Sequence, residues 1–374
     1  MRRSKNKKIA IVITGLSFGG AERVTSFLCN YFSAAGREIY LISLTKGERA
    51  YPLSDAIYVR ELSASHTKGK LGKYRYLIRA IRKEIKEINP SLVLGMMSYS
   101  GSLAAVACKG LGIPFIISER NDPNTSVTFS EMEKKIFYFI HHHFVTRAIF
   151  QTESARSYYY QKEDSKGTII PNPLYLEDMP QPNTGVVASH QIISAGRLNK
   201  QKNHELLVQA FSKVHAKHPE YRLTIYGDGE ERSALEALIA RLGSGSAVSL
   251  PGIEKSMFTR LQEAEMFVLS SNYEGMPNAL IEAMAMGLPC ITTDYSEGRG
   301  TVITHETDGL VVPRKNPEAL ADAMLSLIEH PDKAHTLGMH AASIRKVLDS
   351  NVICKRWLTT IEETETSFYQ RKER

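Results

Sequence analysis

The chain has 374 residues and a formal net charge of +7, with 43% hydrophobic and 23% charged residues. This composition is typical of a folded globular protein and excludes disordered, collagen-like and coiled-coil chains. The length is too great for one ordinary core and predicts two domains, each of somewhat under about 200 residues.

Short apolar runs alternate with helical patterns along the first half of the chain, beginning with the run at residues 9–14. We interpret that run as a buried strand rather than a signal peptide, because it is short and no cleavage site of small residues follows it. Continuous apolar strands separated by helices predict a parallel sheet that is covered on both faces. Five further runs predict strands at residues 38–44, 92–97, 114–119, 147–151 and 167–172.

The loop after the first strand contains Gly19 and Gly20 and leads into a helix predicted from about Ala21. Glycines let backbone N–H groups approach a ligand closely, and a helix N-terminus favours an anion. The glycine spacing is not the GxGxxG fingerprint of dinucleotide-binding proteins, so a nicotinamide-dependent oxidoreductase is disfavoured. The alternative is a tight turn between a strand and a helix.

The positive charge is concentrated in the first 180 residues, in the N-terminal tail and in the stretch 66–86. This stretch has the pattern of a basic amphipathic helix, which can lie on an anionic membrane surface. Nucleic acid is the rival partner for such a stretch. The alternative without any partner is a solvated helix face.

Residues 171–187 contain four prolines and few core residues, so they predict a linker between two domains. The predicted domains are doubly wound α/β units at residues 1–175 and 186–350, with a C-terminal helix at about 352–374 that packs back on the first. Ligands of such sheets bind at the carboxyl ends of the strands, so we expect a cleft between the domains. The second domain has predicted strands at residues 190–196, 221–227, 247–252, 266–271, 289–294 and 308–313, and predicted helices at 203–218, 229–242, 317–330 and 333–347.

Arg197 and Lys202 lie between the first predicted strand and the first predicted helix of the second domain. Two cations at the end of a strand suit a diphosphate, because arginine offers a planar fork and lysine a compact point charge. Asn203 can cap the helix that follows. The alternative is an ordinary surface loop.

Two carboxylates, Glu274 and Glu282, flank a helix start that is predicted near Pro277 or Asn278. The free N–H groups of that helix end could face an anionic ligand. Glu282 lies about one turn into the helix among apolar neighbours, where a buried carboxylate would need partners such as ribose hydroxyls. The alternatives are a capping role for Glu274 and a salt bridge for Glu282.

Four segments together resemble the family 4 retaining glycosyltransferases of the GT-B fold, in which two Rossmann-like parallel-sheet domains face each other across a cleft. The resemblance covers most of the chain, and the two glutamates spaced E-x7-E are its most specific element. The four segments are GLSFGGAERV (15–24), GRLNKQKNHELLVQAF (196–211), IYGDGEERSALEALI (225–239) and SNYEGMPNALIEAMAMGLPCITTD (271–294).

The resemblance implies a role for each matching residue. Glu274 would contact the transferred sugar, and Glu282 would hold the nucleotide ribose. Arg197 and Lys202 would neutralise the leaving diphosphate. Other donor-binding residues would flank the phosphates, the sugar and the base, and they are Gly19, Gly20, Gly252, Ile253, Gly275, Met276, Pro277 and Asn278.

One position departs from the family pattern. Many members have a histidine after the fourth strand, where this chain has Arg120 in the segment ISERNDP. An arginine cannot act as a general base at neutral pH. We therefore expect Arg120 to belong to the catalytic set, either by stabilising negative charge in the cleft or by holding an anionic group of either substrate, with Ser118 and Asn121 adding hydroxyl and amide contacts.

Three consecutive histidines, His141–His143, invite a metal interpretation. Neighbouring residues of a helix point about 100° apart, so three of them cannot face one ion. The chain also lacks a DxD motif, and cationic side chains can neutralise a diphosphate without Mg²⁺. We therefore predict transfer without a metal ion and without any other cofactor.

The resemblance implies a retaining hexosyltransferase that moves a sugar from a UDP-hexose or UDP-N-acetylhexosamine to a lipid-linked or saccharide acceptor. Capsule, exopolysaccharide and O-antigen synthesis are the expected settings, with the acceptor on the first domain and the donor on the second.

Four widely spaced cysteines indicate free thiols in a reducing cytoplasm. Peripheral contact with the anionic inner face of the plasma membrane is a further expectation, and no nucleic-acid partner is expected. Two other function classes stay open, namely a nucleotide-sugar epimerase of the same architecture and a nonenzymatic sugar-nucleotide-binding protein.

Overall fold

The computed structural model describes residues 7–17, 19–64, 69–120, 130–161, 164–177, 179–182, 185, 188–296 and 302–373. The chain divides into two compact units. The first unit consists of Met1–Pro173 together with Asn351–Arg374, and the second consists of Leu174–Ser350. The predicted linker contains the boundary between the units, and its residues 178, 183, 184, 186 and 187 lie outside the described ranges.

A seven-stranded parallel sheet forms the centre of the first unit, in the order β3-β2-β1-β4-β5-β6-β7. Its central strands are fully buried and consist mainly of Ile, Val and Leu, as expected for a sheet covered on both faces. The strands are β1 (Lys8–Ile13), β2 (Glu38–Ser43), β3 (Tyr58–Glu61), β4 (Leu92–Met96), β5 (Phe115–Ser118), β6 (Arg147–Phe150) and β7 (Gly167–Ile169).

The second unit has a six-stranded parallel sheet in the order β10-β9-β8-β11-β12-β13. The predicted fold class, two parallel sheets that are each covered by helices, is therefore confirmed. The strands are β8 (Gln191–Ala195), β9 (Arg222–Tyr226), β10 (Val248–Gly252), β11 (Met266–Leu269), β12 (Cys290–Thr293) and β13 (Leu310–Val312).

Helices connect the strands of both sheets. In the first unit they are α1 (Gly20–Ala34), α2 (Gly69–Ile88), α3 (Ser98–Cys108), α4 (Glu131–Phe144) and α5 (Glu153–Tyr159). In the second unit they are α6 (His204–Lys217), α7 (Arg232–Arg241), α8 (Met257–Glu263), α9 (Asn278–Ala285), α10 (Pro317–Glu329), α11 (Pro331–Ala341) and α12 (Ile344–Val347). The chain ends in the long helix α13 (Ser350–Glu373).

Helix α13 is anchored to the first unit by both apolar and polar contacts. Trp357, the single tryptophan of the chain, is fully buried. Arg37 and the Ser91 hydroxyl both donate hydrogen bonds to Glu365 Oε1, each at 2.5 Å. The Tyr369 hydroxyl donates to the Ser91 carbonyl at 2.9 Å. Helix α13 is therefore an integral part of the first unit.

Two sequence expectations about the elements differ from the structure. Strand β3 was not predicted, because its residues Tyr-Val-Arg-Glu contain no apolar run and it lies half-exposed at the edge of the sheet. The single helix predicted at 333–347 is instead the pair α11 and α12. The break permits two separate contacts, because Gly338 of α11 packs on the backbone of Gly287 while α12 contacts α9.

Candidate active site

The strand order of the second unit reverses at β8, so the loops after β8 and β11 flank the switch point of the sheet. Ligands of open parallel sheets bind at this point, beyond the carboxyl ends of the strands. The loop after β8 carries Arg197 and Lys202, and the loop after β11 carries Glu274. The fold of one unit thus brings together three residues that the sequence analysis had selected separately.

Lys202 and Glu274 contact each other directly. The Lys202 ammonium lies 2.6 Å from Glu274 Oε1, and their side chains are 17% and 7% exposed. The same oxygen accepts a hydrogen bond from Ser271 Oγ at 2.6 Å. The other oxygen, Oε2, lies 3.5 Å from the Gln201 side-chain amide. Glu274 is therefore held mainly through one of its two oxygens.

Asn272 joins the two loops and was missed by the sequence analysis. Its backbone N–H donates to the Gln201 carbonyl at 2.8 Å, and its side-chain amide donates to the Lys200 carbonyl at 2.7 Å. Its own carbonyl accepts from Arg314 at 2.7 Å. These bonds fix the loop of Lys202 against the loop of Glu274. A polar residue two positions before the glutamate, in a turn after a buried strand, was the available signal.

Asn203 has a role different from the one predicted. Its backbone is left-handed, with φ of 49°, and its side chain makes no capping hydrogen bond to α6. The expectation of a side-chain cap is therefore wrong. The Asn203 amide instead donates to Asn272 Oδ1 at 3.2 Å, because the left-handed backbone turns the side chain toward the second loop. Asparagine tolerates this conformation better than most residues.

Glycines allow the loops after β8 and β9 to pack backbone against backbone. A Cβ atom on Gly227 would lie 2.0 Å from the Gly196 carbonyl oxygen, and one on Gly229 would lie 2.4 Å from the Leu198 carbonyl oxygen. The Leu198 N–H donates to the Asp228 carbonyl at 3.0 Å. Larger residues at either glycine would displace the loop that carries Arg197 and Lys202.

Helix α9 begins at Asn278, and Pro277 is its N-cap residue, which offers no side-chain acceptor. An anion near this end could accept from the first-turn N–H groups. Glu282 lies four residues after Asn278 and thus on the same face of the helix, half-buried among Ile281 and Ala283. The predicted helix start is correct, and Gly275 and Met276 immediately precede it.

Three further residues of the second unit define the surroundings of the site. Arg197 is exposed, and no hydrogen bond or ion pair of its side chain occurs within the described part of the chain. Gly252 ends β10 with φ of 95° and its carbonyl accepts from Gly227 at 2.8 Å. The next residue, Ile253, is 70% exposed at the carboxyl end of the sheet. These positions leave Arg197 and Ile253 accessible to a ligand.

His204, the first residue of α6, is buried beneath the loop of Lys202. Burial, and secondly the positive charge of Lys202, lower the pKa of His204 to about 4. The imidazole is therefore neutral at pH 7, since its pKa lies far below that pH. Lys202 thus has a neutral neighbour at that position rather than a second cation.

In the first unit the strand order reverses between β1 and β4. Gly19 is the N-cap residue of α1 and Gly20 its first residue, so both lie at this switch point. A Cβ atom on Gly19 would lie 2.1 Å from Glu22 Oε2, so the acidic side chain of the first helical turn occupies the space beside the glycine. Met97, which follows β4, has φ of 68°, a conformation that costs free energy for a non-glycine residue.

Arg120 follows β5 and is buried in the first unit. Its guanidinium donates to Asn172 Oδ1, which also accepts from the Gln151 side-chain amide at 2.6 Å. The guanidinium lies 5.9 Å from the centre of the Trp357 ring. Arg120 thus joins the carboxyl ends of neighbouring strands to α13, and its role in the reaction stays a prediction. Its expected helper at residue 121 lies outside the described ranges.

A buried polar network beside Arg120 was missed by the sequence analysis. Glu119 accepts a hydrogen bond from the Ser98 hydroxyl and lies 3.0 Å from His141 Nε2. The His141 ring stacks on Tyr159 with centroids 3.7 Å apart. The His142 ring lies against Tyr138 and the His143 ring against Phe139, so each of the three histidines has a different nearest ring. In the described ranges, no group of three metal-ligating side chains is placed to hold an ion.

Glycosyltransferase family models match both halves of the chain. The family model "Glycosyltransferase Family 4" matches residues 18–178, and the model "Glycosyl transferases group 1" matches residues 181–343. An α-1,4-N-acetyl-D-galactosaminyltransferase of Campylobacter jejuni, which acts on a saccharide linked to undecaprenyl diphosphate, is 25% identical and covers 96% of this chain and 99% of its own. The amylovoran biosynthesis glycosyltransferase AmsD of Erwinia amylovora is 26% identical and covers 94% of this chain and 98% of its own.

Solved structures show the same architecture. Anabaena HepE, crystallised with UDP and glucose, has a TM-score of 0.81 at 17% identity and covers 95% of this chain and 99% of its own. Sucrose-phosphate synthase from Thermosynechococcus elongatus has a TM-score of 0.82 at 19% identity and covers 96% of this chain and 99% of its own. At these identities the likeness establishes the fold.

Proposed function

The chain belongs to the family 4 glycosyltransferases, which are retaining enzymes of the GT-B fold, and from this premise we propose that it transfers a hexose or N-acetylhexosamine from a UDP-sugar to a lipid-linked or saccharide acceptor. The observation that carries the proposal is the contact between Lys202 and Glu274 at the switch point of the second sheet, beside the N-terminus of α9. A cation, a carboxylate and a helix end in one place suit a sugar joined to a diphosphate.

The relatives support this choice of donor and acceptor. HepE was crystallised with UDP and glucose, and the Campylobacter jejuni relative transfers an N-acetylhexosamine to a saccharide on undecaprenyl diphosphate. AmsD functions in amylovoran biosynthesis. We therefore infer that this chain uses a UDP-sugar in the synthesis of a cell-surface polysaccharide.

Departure of the diphosphate is assisted by positive charge. The guanidinium of Arg197, the ammonium of Lys202 and the N-terminus of α9 would stabilise the negative charge that develops as the bond to the sugar breaks. One such contact is typically worth roughly 3 kcal/mol of barrier, or about a hundredfold in rate. These groups can supply the stabilisation without a metal ion, so we propose metal-independent transfer.

Glu274 would orient the sugar rather than attack it. Among the residues that the structure describes, its Oε2 atom has only the 3.5 Å contact with Gln201, so it can accept a sugar hydroxyl while Oε1 stays bound to Lys202. Retention is proposed to arise from attack on the same face, with the leaving phosphate taking the proton of the acceptor hydroxyl. A covalent sugar intermediate on Glu274 is not part of this proposal.

We further propose that the first unit binds an anionic membrane surface, where lipid-linked acceptors are found. Helix α2 presents several exposed cations, whereas its apolar side chains Leu77, Ile81 and Ile85 are buried in the core and cannot insert into lipid. No described helix is both long enough and apolar enough to cross a bilayer. The exposed cations of α2 are Lys70, Lys73, Arg75, Arg79, Lys83 and Lys86.

Helix α4 exposes a larger apolar surface than α2, on which Leu71 is 70% exposed. Met132, Ile136 and Phe139 are 69%, 48% and 54% exposed and lie along one stripe, since they are spaced by four and three residues. Helices α2 and α4 both contact α3, so they lie in one layer of helices. An apolar stripe near a basic helix matches an anionic bilayer.

A substrate screen tests the proposed activity. UDP-, GDP- and ADP-sugars are incubated with polyprenyl-linked acceptors extracted from membranes, and we expect UDP release that depends on the acceptor. Conversion of a UDP-sugar to its epimer without acceptor would instead support an epimerase of the same fold. Binding of UDP without any turnover across the screen would support a nonenzymatic binding protein.

A further inference from the structure

The proposed function assigns Lys202 to the diphosphate and Glu274 to the sugar, but the structure joins the two side chains directly. Their N–O distance is 2.6 Å, and the side chains are 17% and 7% exposed. Water therefore screens this pair less than it screens pairs on the open surface. The charge of Lys202 is balanced before any ligand binds.

Each member of the pair keeps unused bonding capacity. An ammonium has three N–H donors, and in the described part of the chain Lys202 Nζ has one hydrogen-bond partner. The Glu274 atom Oε1 accepts from both Lys202 and Ser271, whereas Oε2 has one long contact, with Gln201, among the described residues. A phosphate can therefore bind Lys202 while Glu274 remains bound to it.

A phosphate oxygen bound to Lys202 would lie within a few ångströms of the Glu274 carboxylate. Like charges at that separation repel each other in a partly buried site. The repulsion is not equal for substrate and product. A terminal phosphate has a second ionisation near pH 6, so the free diphosphate carries more negative charge than the diphosphate of an intact nucleotide-sugar.

The additional negative charge of the diphosphate appears only when the bond to the sugar has been broken. The bond between the anomeric carbon and the phosphate oxygen breaks, and its electron pair stays on the diphosphate. The acceptor oxygen forms the new bond to the anomeric carbon, and its proton goes to the leaving diphosphate, from which it is lost to solvent. The sugar that shared Glu274 has then been transferred, while the diphosphate still lies beside the carboxylate.

We propose that Glu274 acts as an internal counter-ion that selectively weakens binding of the released nucleoside diphosphate and so favours its departure. This inference rests on the proposed function, in which Lys202 binds the diphosphate. Glu274 thereby discriminates between donor and product by charge, in addition to its contact with the sugar. The backbone of the loop that carries Lys202 is held independently of Glu274 by the hydrogen bonds from Asn272 to the Lys200 and Gln201 carbonyls.

The test compares binding of UDP and of an intact UDP-sugar by titration calorimetry. Glu274→Gln keeps the shape and the acceptor oxygen but removes the charge. We expect this variant to bind UDP about tenfold more tightly than the wild type, a coupling of ordinary size between groups in one site. It should not bind the UDP-sugar more tightly, and product inhibition by UDP should become stronger while turnover falls.

Two further variants distinguish a failure of the counter-ion inference from a failure of the proposed donor site. Ser271→Ala removes a neutral hydrogen bond to Glu274 Oε1 and should leave the ratio of UDP to UDP-sugar affinity unchanged. Lys202→Met should weaken UDP binding. If Lys202→Met weakens UDP but Glu274→Gln does not tighten it, the counter-ion inference is wrong and the proposed function stands. If the wild type does not bind UDP, or Lys202→Met has no effect on UDP binding, the proposed donor site itself is wrong.

Discussion

The guanidinium of Arg120 lies 5.9 Å from the centre of the Trp357 ring, which places a residue that follows the fifth strand against the last helix of the chain. We expect Arg120→Leu to lower the free energy of unfolding of the first unit by about 1–3 kcal/mol, because Asn172 loses a buried charged partner. Urea unfolding followed by Trp357 fluorescence measures this change, since Trp357 is the only tryptophan.

A chemical role of Arg120 is separable from this structural one. Asn172→Ala removes the same hydrogen bond but keeps the guanidinium, so it serves as the matched control. If Arg120 stabilises charge in the reaction, Arg120→Leu should lose at least about tenfold more turnover than Asn172→Ala. Equal turnover in the two variants would assign Arg120 to structure alone.

Lys202→Met should lower kcat/KM about a hundredfold, because the leaving diphosphate loses one cationic contact. Lys200→Met is the matched control, since Lys200 is an exposed lysine of the same loop. Turnover is measured as UDP release, and far-UV circular dichroism verifies the fold. Normal turnover of Lys202→Met, or an equal loss in both variants, would contradict the assignment of Lys202.

Glu282→Gln should weaken UDP binding about tenfold or more, because a carboxylate forms stronger hydrogen bonds to ribose hydroxyls than an amide does. Binding of inorganic pyrophosphate should stay unchanged, since pyrophosphate has no ribose. Glu236→Gln, on the exposed side of α7, is the control for loss of one negative charge. Equal weakening of UDP and pyrophosphate would place Glu282 at the phosphates instead.

His204 should make stability depend on pH between its normal and its shifted pKa. In the folded chain the pKa is lowered from 6.5 to about 4, so the unfolded state binds the proton more readily. The stabilisation from the neutral ring is therefore complete above pH 6.5 and is lost as the pH falls toward 4, by about 3 kcal/mol in total.

Calorimetric melting of the wild type and of His204→Leu measures this dependence. We expect the wild type to lose melting temperature more steeply than the variant between pH 6.5 and pH 4. Below pH 4 the melting temperatures of the wild type and the variant should change in parallel, because His204 is then protonated in both the folded and the unfolded state. Parallel curves above pH 4 would show that His204 does not titrate as its burial requires.

Replacing Met132, Ile136 and Phe139 by serine should reduce binding to anionic vesicles at least about tenfold, because each large apolar side chain contributes roughly 1.5–3 kcal/mol when it leaves water. Flotation with phosphatidylglycerol vesicles at low salt measures the bound fraction. Val347→Ser, at a 65% exposed site of the second unit, is the control. Failure of the wild type to float would remove the membrane proposal, and an unchanged triple variant would exclude α4 as the contact.

The sequence predicted the sheets well where the strands are buried and poorly where they are not. Strand β1 is continuously apolar after Lys8, and β11 is apolar throughout, so their pattern identifies them without knowledge of their neighbours. Edge strand β3 alternates exposed and half-buried residues, and only its pairing with β2 defines it as a strand. Helix breaks such as that between α11 and α12 depend on contacts elsewhere in the unit.

The sequence predicted individual residues of the site but not the contacts between them. Lys202 and Glu274 were selected from their local motifs, yet their ion pair exists because β8 lies beside β11 in the sheet. No local pattern contains that information. Glu119 was missed although it had a signal, since it is a charged residue directly after the fully buried strand β5.

Placement of α13 in the first unit has a consequence for biosynthesis. Helix α13 supplies Ile353, Trp357 and Ile361 as fully buried residues of the first unit, whose remaining residues precede the second unit in the chain. A ribosome therefore finishes the whole of Leu174–Ser350 before it makes the residues that complete the first unit. Domains usually fold in the order of synthesis. Here the second unit can complete its folding first, because the first unit lacks its buried Trp357 until the end of the chain has been synthesised.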